Sequence, residues 1–166
     1  MSERYPEIYQ EVTNILGADK SGHGMDHVDR VTSMALRFAR QEEADSESVE
    51  LTALLHDVDD YKLVGVEQSR ELTNARAILG RHAIREVMSD QVLTNIQNMG
   101  YSKYLEGVRP DTLEGAIVSD ADMCDAIGAH GILRVLTYSM SEGAPFFDKT
   151  IAPRQTELSP DEYRKV

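Results

Sequence analysis

The 166-residue chain contains a single cysteine, Cys124, so no disulfide can form within it and a reducing compartment suits it. Basic residues are scarce: 17 Lys and Arg stand against 29 Asp and Glu, a formal charge of −12. That field repels the phosphate backbone of polymeric nucleic acids and the anionic face of a membrane, and neither is an expected partner. It leaves room for a small phosphate ester, because a bound divalent cation and two or three local basic side chains override the net field within one pocket. No stretch approaches the roughly 18 apolar residues of a membrane span, and Met1-Ser2-Glu3-Arg4-Tyr5-Pro6 has neither a basic nor an apolar leader region. A soluble, cytoplasmic protein is the expectation. No segment alternates convincingly with a period of two, and there is no internal repeat or low-complexity tract. The fold class expected is all-α, in one domain with a single core.

What is present is helical periodicity. Residues 6–16 place Ile8, Tyr9, Val12, Ile15 and Leu16 at three- and four-residue steps, with Pro6 as a start and Gly17 as a stop. A turn-rich stretch at 18–24 leads into a second helix over about 26–42, where His27 shares a face with Val31, Met34 and Phe38. Residues 49–58 are apolar on most sides and predict a central helix, followed by a polar segment at 59–62 that leaves at the pocket mouth. A helix over 67–79 turns Leu72, Ala75, Ile78 and Leu79 inward and stops at Gly80; another over 82–99 carries a candidate break near Ser89-Asp90. After a loop with Gly100, Gly107 and Pro110, residues 111–140 form a last helical block. It is capped by Asp111 or Thr112 and continues as an apolar helix through Ile132, Leu133, Val135, Leu136 and Tyr138. From Glu142 onward the tail is expected to be irregular.

Chemistry intrudes on this pattern at three places. His56-Asp57 closes the most apolar segment, yet alone the dipeptide is weak, with about 0.4 chance occurrences in such a composition. An unpaired carboxylate there would cost several kcal/mol, so Asp57 needs a cation or donors. His27 sits in the first turn of a core-facing stripe. Asp120, Asp122 and Asp125 place three carboxylates in six residues between apolar flanks, where solvated surface is not expected. Two imidazoles and a set of carboxylates on three helices would satisfy one another around a metal ion.

Three motifs carry a resemblance: Ser-Gly-His-x-x-x-His-x-x-Arg-Val at 21–31, Leu-Leu-His-Asp at 54–57 and Asp-Ala-Asp-x-x-Asp-Ala-Ile-Gly at 120–128. In this order they resemble the HD-domain superfamily of metal-dependent phosphohydrolases, and most closely a small stand-alone bacterial subfamily that includes nucleotide pyrophosphatases. The resemblance implies a helical bundle with metal ligands His27, His56, Asp57 and Asp122, a choice of Asp122 over Asp120 that periodicity does not make. It implies one divalent ion (Mn, Fe, Co, Ni, Zn or Mg) and hydrolysis of a nucleotide or related small phosphate ester by metal-activated water.

Around the ligands, Arg30 and Lys62 match basic positions of the subfamily that would hold phosphate; Arg30 could equally pair with Asp26, and Lys62 could be solvated. Asp60 is a candidate base or water-positioning residue, Asp125 a partner behind a histidine ligand, and His23 a substrate or metal-shell contact or a cap of the second helix. Only His82 lies between the HD pair and the last Asp, so one metal is expected, and His130 is incidental. The resemblance treats 1–166 as one HD domain with its core at about 5–141. The chain is expected to depart from its relatives in lacking the aromatic they commonly carry at Gly24-Met25 and the helix they carry after Pro153-Arg154, which would leave the pocket more open or alter the substrate. That departure motivates an alternative, a non-catalytic module that binds metal or nucleotide. A di-iron oxygenase of the same superfamily is a third reading, disfavoured by the shortage of histidines.

Overall fold

Every residue from Ser48 to Leu55 is buried in the computed structural model, and this enclosed segment belongs to a helix, α3 (Ser46–Leu55), at the centre of the fold. The structure describes residues 2–18, 23–141, 143–145, 147, 149, 150 and 159; the irregular tail expected from Glu142 lies mostly outside them. Two helices precede α3, α1 (Pro6–Leu16) and α2 (Met25–Gln41). After it come α4 (Tyr61–Val64), α5 (Val66–Glu71), α6 (Thr73–Arg81), α7 (Glu86–Asn98), α8 (Tyr101–Leu105), α9 (Leu113–Asp125) and α10 (Gly128–Ser141). No strand occurs among the described residues, and the fold is all-α.

The burial of α3 follows from its composition, which offers no polar face. Leu51, Leu54 and Leu55 join Ile8, Val12 and Leu16 of α1, Ile78 and Leu79 of α6, and Val92, Leu93 and Ile96 of α7. On the other side Val49 and Ala53 meet Val31, Ala35 and Ala39 of α2 and Ile117, Val118 and Ala121 of α9. The alanines keep this second seam thin, so α2, α3 and α9 approach closely and bring their ends together. Each fully buried leucine or valine contributes about 1.5–3 kcal/mol, so the two clusters fix α3 firmly. Glu50, the one acid inside α3's buried run, accepts a hydrogen bond from Ser2 Oγ at 2.6 Å, with Arg4 3.7 Å away.

Several local expectations are corrected. The helix predicted over 67–79 is two helices, because Leu72 adopts a left-handed conformation (φ 51°, ψ 49°) between α5 and α6. Leucine has no cap to offer α6, and Asp59 supplies it from elsewhere: Oδ1 accepts from the Asn74 N–H at 2.9 Å and Oδ2 from the Ala75 N–H at 2.8 Å. Asn74 Nδ2 donates back to the Val58 carbonyl, so Asp59 is buried and structural rather than part of a polar exit. Gly80 lies within α6, and the chain reverses past it at Ala83 (φ 50°).

The break near Ser89-Asp90 is absent, since the Ser89 hydroxyl donates to the Ile84 carbonyl at 3.3 Å and starts no new helix; Val87, in the first turn of α7, is exposed. The Gly100–Pro110 loop contains α8. In α10, Ile132, Leu133 and Val135 are more than half exposed rather than core. The contact that α10 does make is tight: Gly128 takes a positive φ of 68° at its start, and a Cβ on Gly131 would lie 2.1 Å from the Ala126 carbonyl oxygen. Among the described residues no helix is long and apolar enough to cross a membrane.

Candidate metal centre

The site forms where three helix ends meet. His27 lies in the first turn of α2, after the N-cap Gly24. His56 is not inside α3, as the sequence pattern suggests, but is its C-cap, and Asp57 begins the turn beyond it. Asp122 and Asp125 come from the last turn of α9. The C-terminal ends of α3 and α9 carry partial negative charge from their unpaired carbonyls, which favours a cation between them.

Hydrogen bonding orients both imidazoles. His27 Nδ1 donates to Asp125 Oδ2 at 2.7 Å, and His56 Nδ1 donates to the Ala53 carbonyl at 2.8 Å. Each Nε2 is then left with its lone pair, and the two Nε2 atoms face each other at 3.2 Å. Asp57 Oδ2 lies 3.4 Å from His27 Nε2 and 3.5 Å from His56 Nε2, while Asp122 Oδ1 is 3.3 Å from His27 Nε2. Four acceptor atoms thus converge, around a histidine only 1% exposed, and such a set is stable only with positive charge among them. A proton can supply it: burial works against a charged His27, yet hydrogen bonds with Asp122 and Asp57 outweigh burial and push its pKa up to about 10. A divalent ion fits the same donors better, since two imidazole nitrogens and two carboxylate oxygens are a mixed set that transition metals accept. The atoms of His27, His56 and Asp122 that could ligate lie within 4.8 Å of one another, as do those of His23, His27 and Asp57.

The charge states follow from the packing. Burial raises the Asp57 carboxyl, but His56, His23 and His27 hold it well below the usual carboxylate range. His23 Nδ1 lies 2.9 Å from Asp57 Oδ2, and this pairing raises its pKa although burial opposes it. Asp125 is opposed by burial as well, yet Arg30 and His27 bring it down to about 2. Asp60 moves the other way, raised first by burial and then by the charge of Asp57; its Oδ1 accepts from the Lys62 N–H and caps α4.

Arg30 is committed within the protein: its Nε and Nη2 grip the two oxygens of Asp125 at 2.7 and 3.0 Å, and its Nη1 binds Asp26 at 2.9 Å. It therefore sits behind Asp125, which sits behind His27. Lys62 is exposed, with Nζ 4.4 Å from the centre of the Tyr138 ring on α10. Asp120 is exposed and apart from the cluster. His82 binds Glu11 of α1 at 2.8 Å, a structural pairing remote from the cluster. His130 is exposed and lines, with Arg37, Cys124 and Ile127, a cleft that includes Arg30 and Asp125 but none of the four converging residues.

One residue escaped the sequence reading. Arg134, on α10, reaches Asp125 Oδ2 at 3.5 Å and bears electrostatically on His23 and His27. Its signal was available: it is the one Lys or Arg between Gly128 and Ser141, in a helix read only for its apolar residues.

The HD domain family model matches residues 24–127, which spans all four converging residues. The YpgQ protein of Bacillus subtilis is 33% identical over 140 residues, covering 82% of this chain and 67% of YpgQ. The chain spans about two thirds of the length of the curated relatives it matches. A crystal structure from Lactobacillus plantarum superposes with a TM-score of 0.80 at 33% identity, over 99% of this chain and 75% of that one. An HD-superfamily hydrolase from Bacillus thuringiensis gives 0.69 at 31%, over 98% and 77%. YpgQ crystallised in complex with ADP gives 0.67 at 30%, over 86% and 73%.

Proposed function

Because the chain belongs to the HD domain family, we propose that it is a metal-dependent phosphohydrolase acting in the cytoplasm on a nucleotide or a related small phosphate ester. The observation that carries this reading is the convergence of His27 Nε2, His56 Nε2, Asp57 Oδ2 and Asp122 Oδ1, four acceptors with no donor of their own in the tautomers their neighbours set. Hydrolase relatives and the ADP complex of YpgQ support the reaction class and the nucleotide. In this reading residues 5–141 are the working body of one HD domain.

His27, His56, Asp57 and Asp122 would hold one divalent ion. When bound, the ion supplies a water of lowered pKa and neutralises charge on the phosphate oxygens. The chain's own groups do the rest. Asp125 and the Ala53 carbonyl fix the two imidazoles so that Nε2, not Nδ1, faces the site. Arg30 locks Asp125 in its ionised form. His23, hydrogen bonded to Asp57, lies next to the substrate side of the cluster and can donate to a phosphate oxygen. Asp60, with its raised pKa, takes the proton of the attacking water, and Lys62 follows it on α4 as an exposed cation for the incoming phosphate.

The test is hydrolysis of a nucleotide panel by the Mn- or Co-loaded protein. Turnover of one or more phosphorylated substrates is expected, and Asp60→Asn should lower kcat by about 10²- to 10⁴-fold while metal content stays that of the wild type. No turnover on any phosphorylated substrate would overturn the reading, and tight nucleotide binding without turnover would favour a regulatory module.

A further inference from the structure

Resting on the phosphohydrolase reading, we propose that Arg134 is a phosphate-binding residue of this site, carried to it by α10. Asp125 has its single negative charge already matched. Arg30 holds both of its oxygens at 2.7 and 3.0 Å, and His27 donates to Oδ2 at 2.7 Å. The Arg134 Nη1 stands 3.5 Å from that same oxygen, beyond an ordinary charge-assisted hydrogen bond. Among the described residues Arg134 is therefore a surplus cation. It is also a sheltered one, with its side chain 18% exposed, so its desolvation calls for an anion that Asp125 cannot fully supply.

Its position says which anion. Arg134 Nη1 and His27 Nδ1 approach the same Asp125 oxygen, at 3.5 and 2.7 Å, so only one carboxylate separates the guanidinium from a ring whose Nε2 is among the four converging acceptors. Tyr138, one turn further along α10, lies under Lys62 Nζ, so α10 and α4 present two cations and an aromatic face together. A guanidinium offers five donors in a planar fork, and one contact with Asp125 leaves the others for two oxygens of a phosphate. Asp125 then links both sides of the centre: it orients His27 and steadies Arg134.

Calorimetric titration of ADP and of inorganic pyrophosphate into Mn-loaded wild type, Arg134→Ala and Arg134→Lys tests this. Arg134→Ala should weaken both probes by about 10- to 100-fold and raise KM more than it lowers kcat, with Mn affinity and helicity unchanged; Arg134→Lys should recover part of the loss. Binding of both probes by Arg134→Ala at wild-type strength would overturn the assignment. So would a wild type that binds neither, or a parallel loss of Mn affinity and melting temperature, which would make Arg134 a prop for Asp125. Wild-type binding without turnover would end the phosphohydrolase reading and leave Arg134 in place, whereas turnover with intact probe binding in Arg134→Ala would do the reverse.

Discussion

Asp57→Ala should abolish hydrolysis, by at least about a thousandfold, while leaving the helical fold in place. Asp57 Oδ2 is the atom that meets both Nε2 nitrogens, at 3.4 and 3.5 Å, and the Nδ1 of His23, at 2.9 Å. Its loss removes one of four donors and leaves the two imidazoles facing each other with Asp122 alone to balance a cation. The residue lies beyond the end of α3, in a turn, so no helical hydrogen bond ladder depends on its side chain. Two readouts separate chemistry from folding. Circular dichroism should show wild-type helicity. Added Mn²⁺ should raise the melting temperature of the wild type, as a ligand at a hundred times its Kd stabilises by about 2.7 kcal/mol, and should barely shift the variant. A variant that unfolds, or that keeps the full metal-dependent shift, would show that Asp57 does something else.

Asp125→Ala carries the second large effect, although Asp125 stands outside the four proposed ligands. This carboxylate, 3% exposed, receives His27 Nδ1, both forks of Arg30 and the weaker approach of Arg134. Removing it frees the His27 ring to turn or to move its proton to Nε2, and leaves the Arg30 guanidinium, among the described residues, with the exposed Asp26. The uncompensated N–H costs about 1–3 kcal/mol, and metal affinity should fall by about 10- to 100-fold, with activity at limiting metal falling in proportion. Asp125→Asn should fall between, because an amide oxygen still accepts from His27 but no longer neutralises Arg30. Titration of Mn²⁺ into the three proteins checks the order; equal affinity in all three would remove Asp125 from the account.

Parts of this architecture were legible in the sequence for identifiable reasons. The bounds of α1 were readable because Pro6 fixes its first turn and the apolar spacing runs unbroken to Leu16. Leucines on one side of α3, with Val49 and Ala53 on the other, announced its central place. Other parts were hidden because the deciding partner is distant in sequence. The kink at Leu72 does not disturb the inward line of Leu72, Ala75, Ile78 and Leu79, and the cap that permits it comes from Asp59. The exposed stripe of α10 reads as core in any pattern that counts only hydrophobicity.

The site divides the same way. Periodicity could flag His27, His56 and Asp57 as polar groups in apolar surroundings, but it could not rank Asp120 against Asp122. The motif resemblance did that, and the geometry puts Asp122 in the cluster and Asp120 in solvent. Arg30 shows the limit of matching a basic residue to a phosphate role: its position near the site was legible, its grip on Asp125 was not.

The proposed centre has His27, His56, Asp57 and Asp122 together holding one divalent ion. Metal analysis of protein purified without supplement, beside Asp57→Ala prepared identically, tests it most directly. About one divalent ion per wild-type chain and essentially none in the variant is the expected result. Two ions per chain, or an ion retained undiminished by Asp57→Ala, would contradict it.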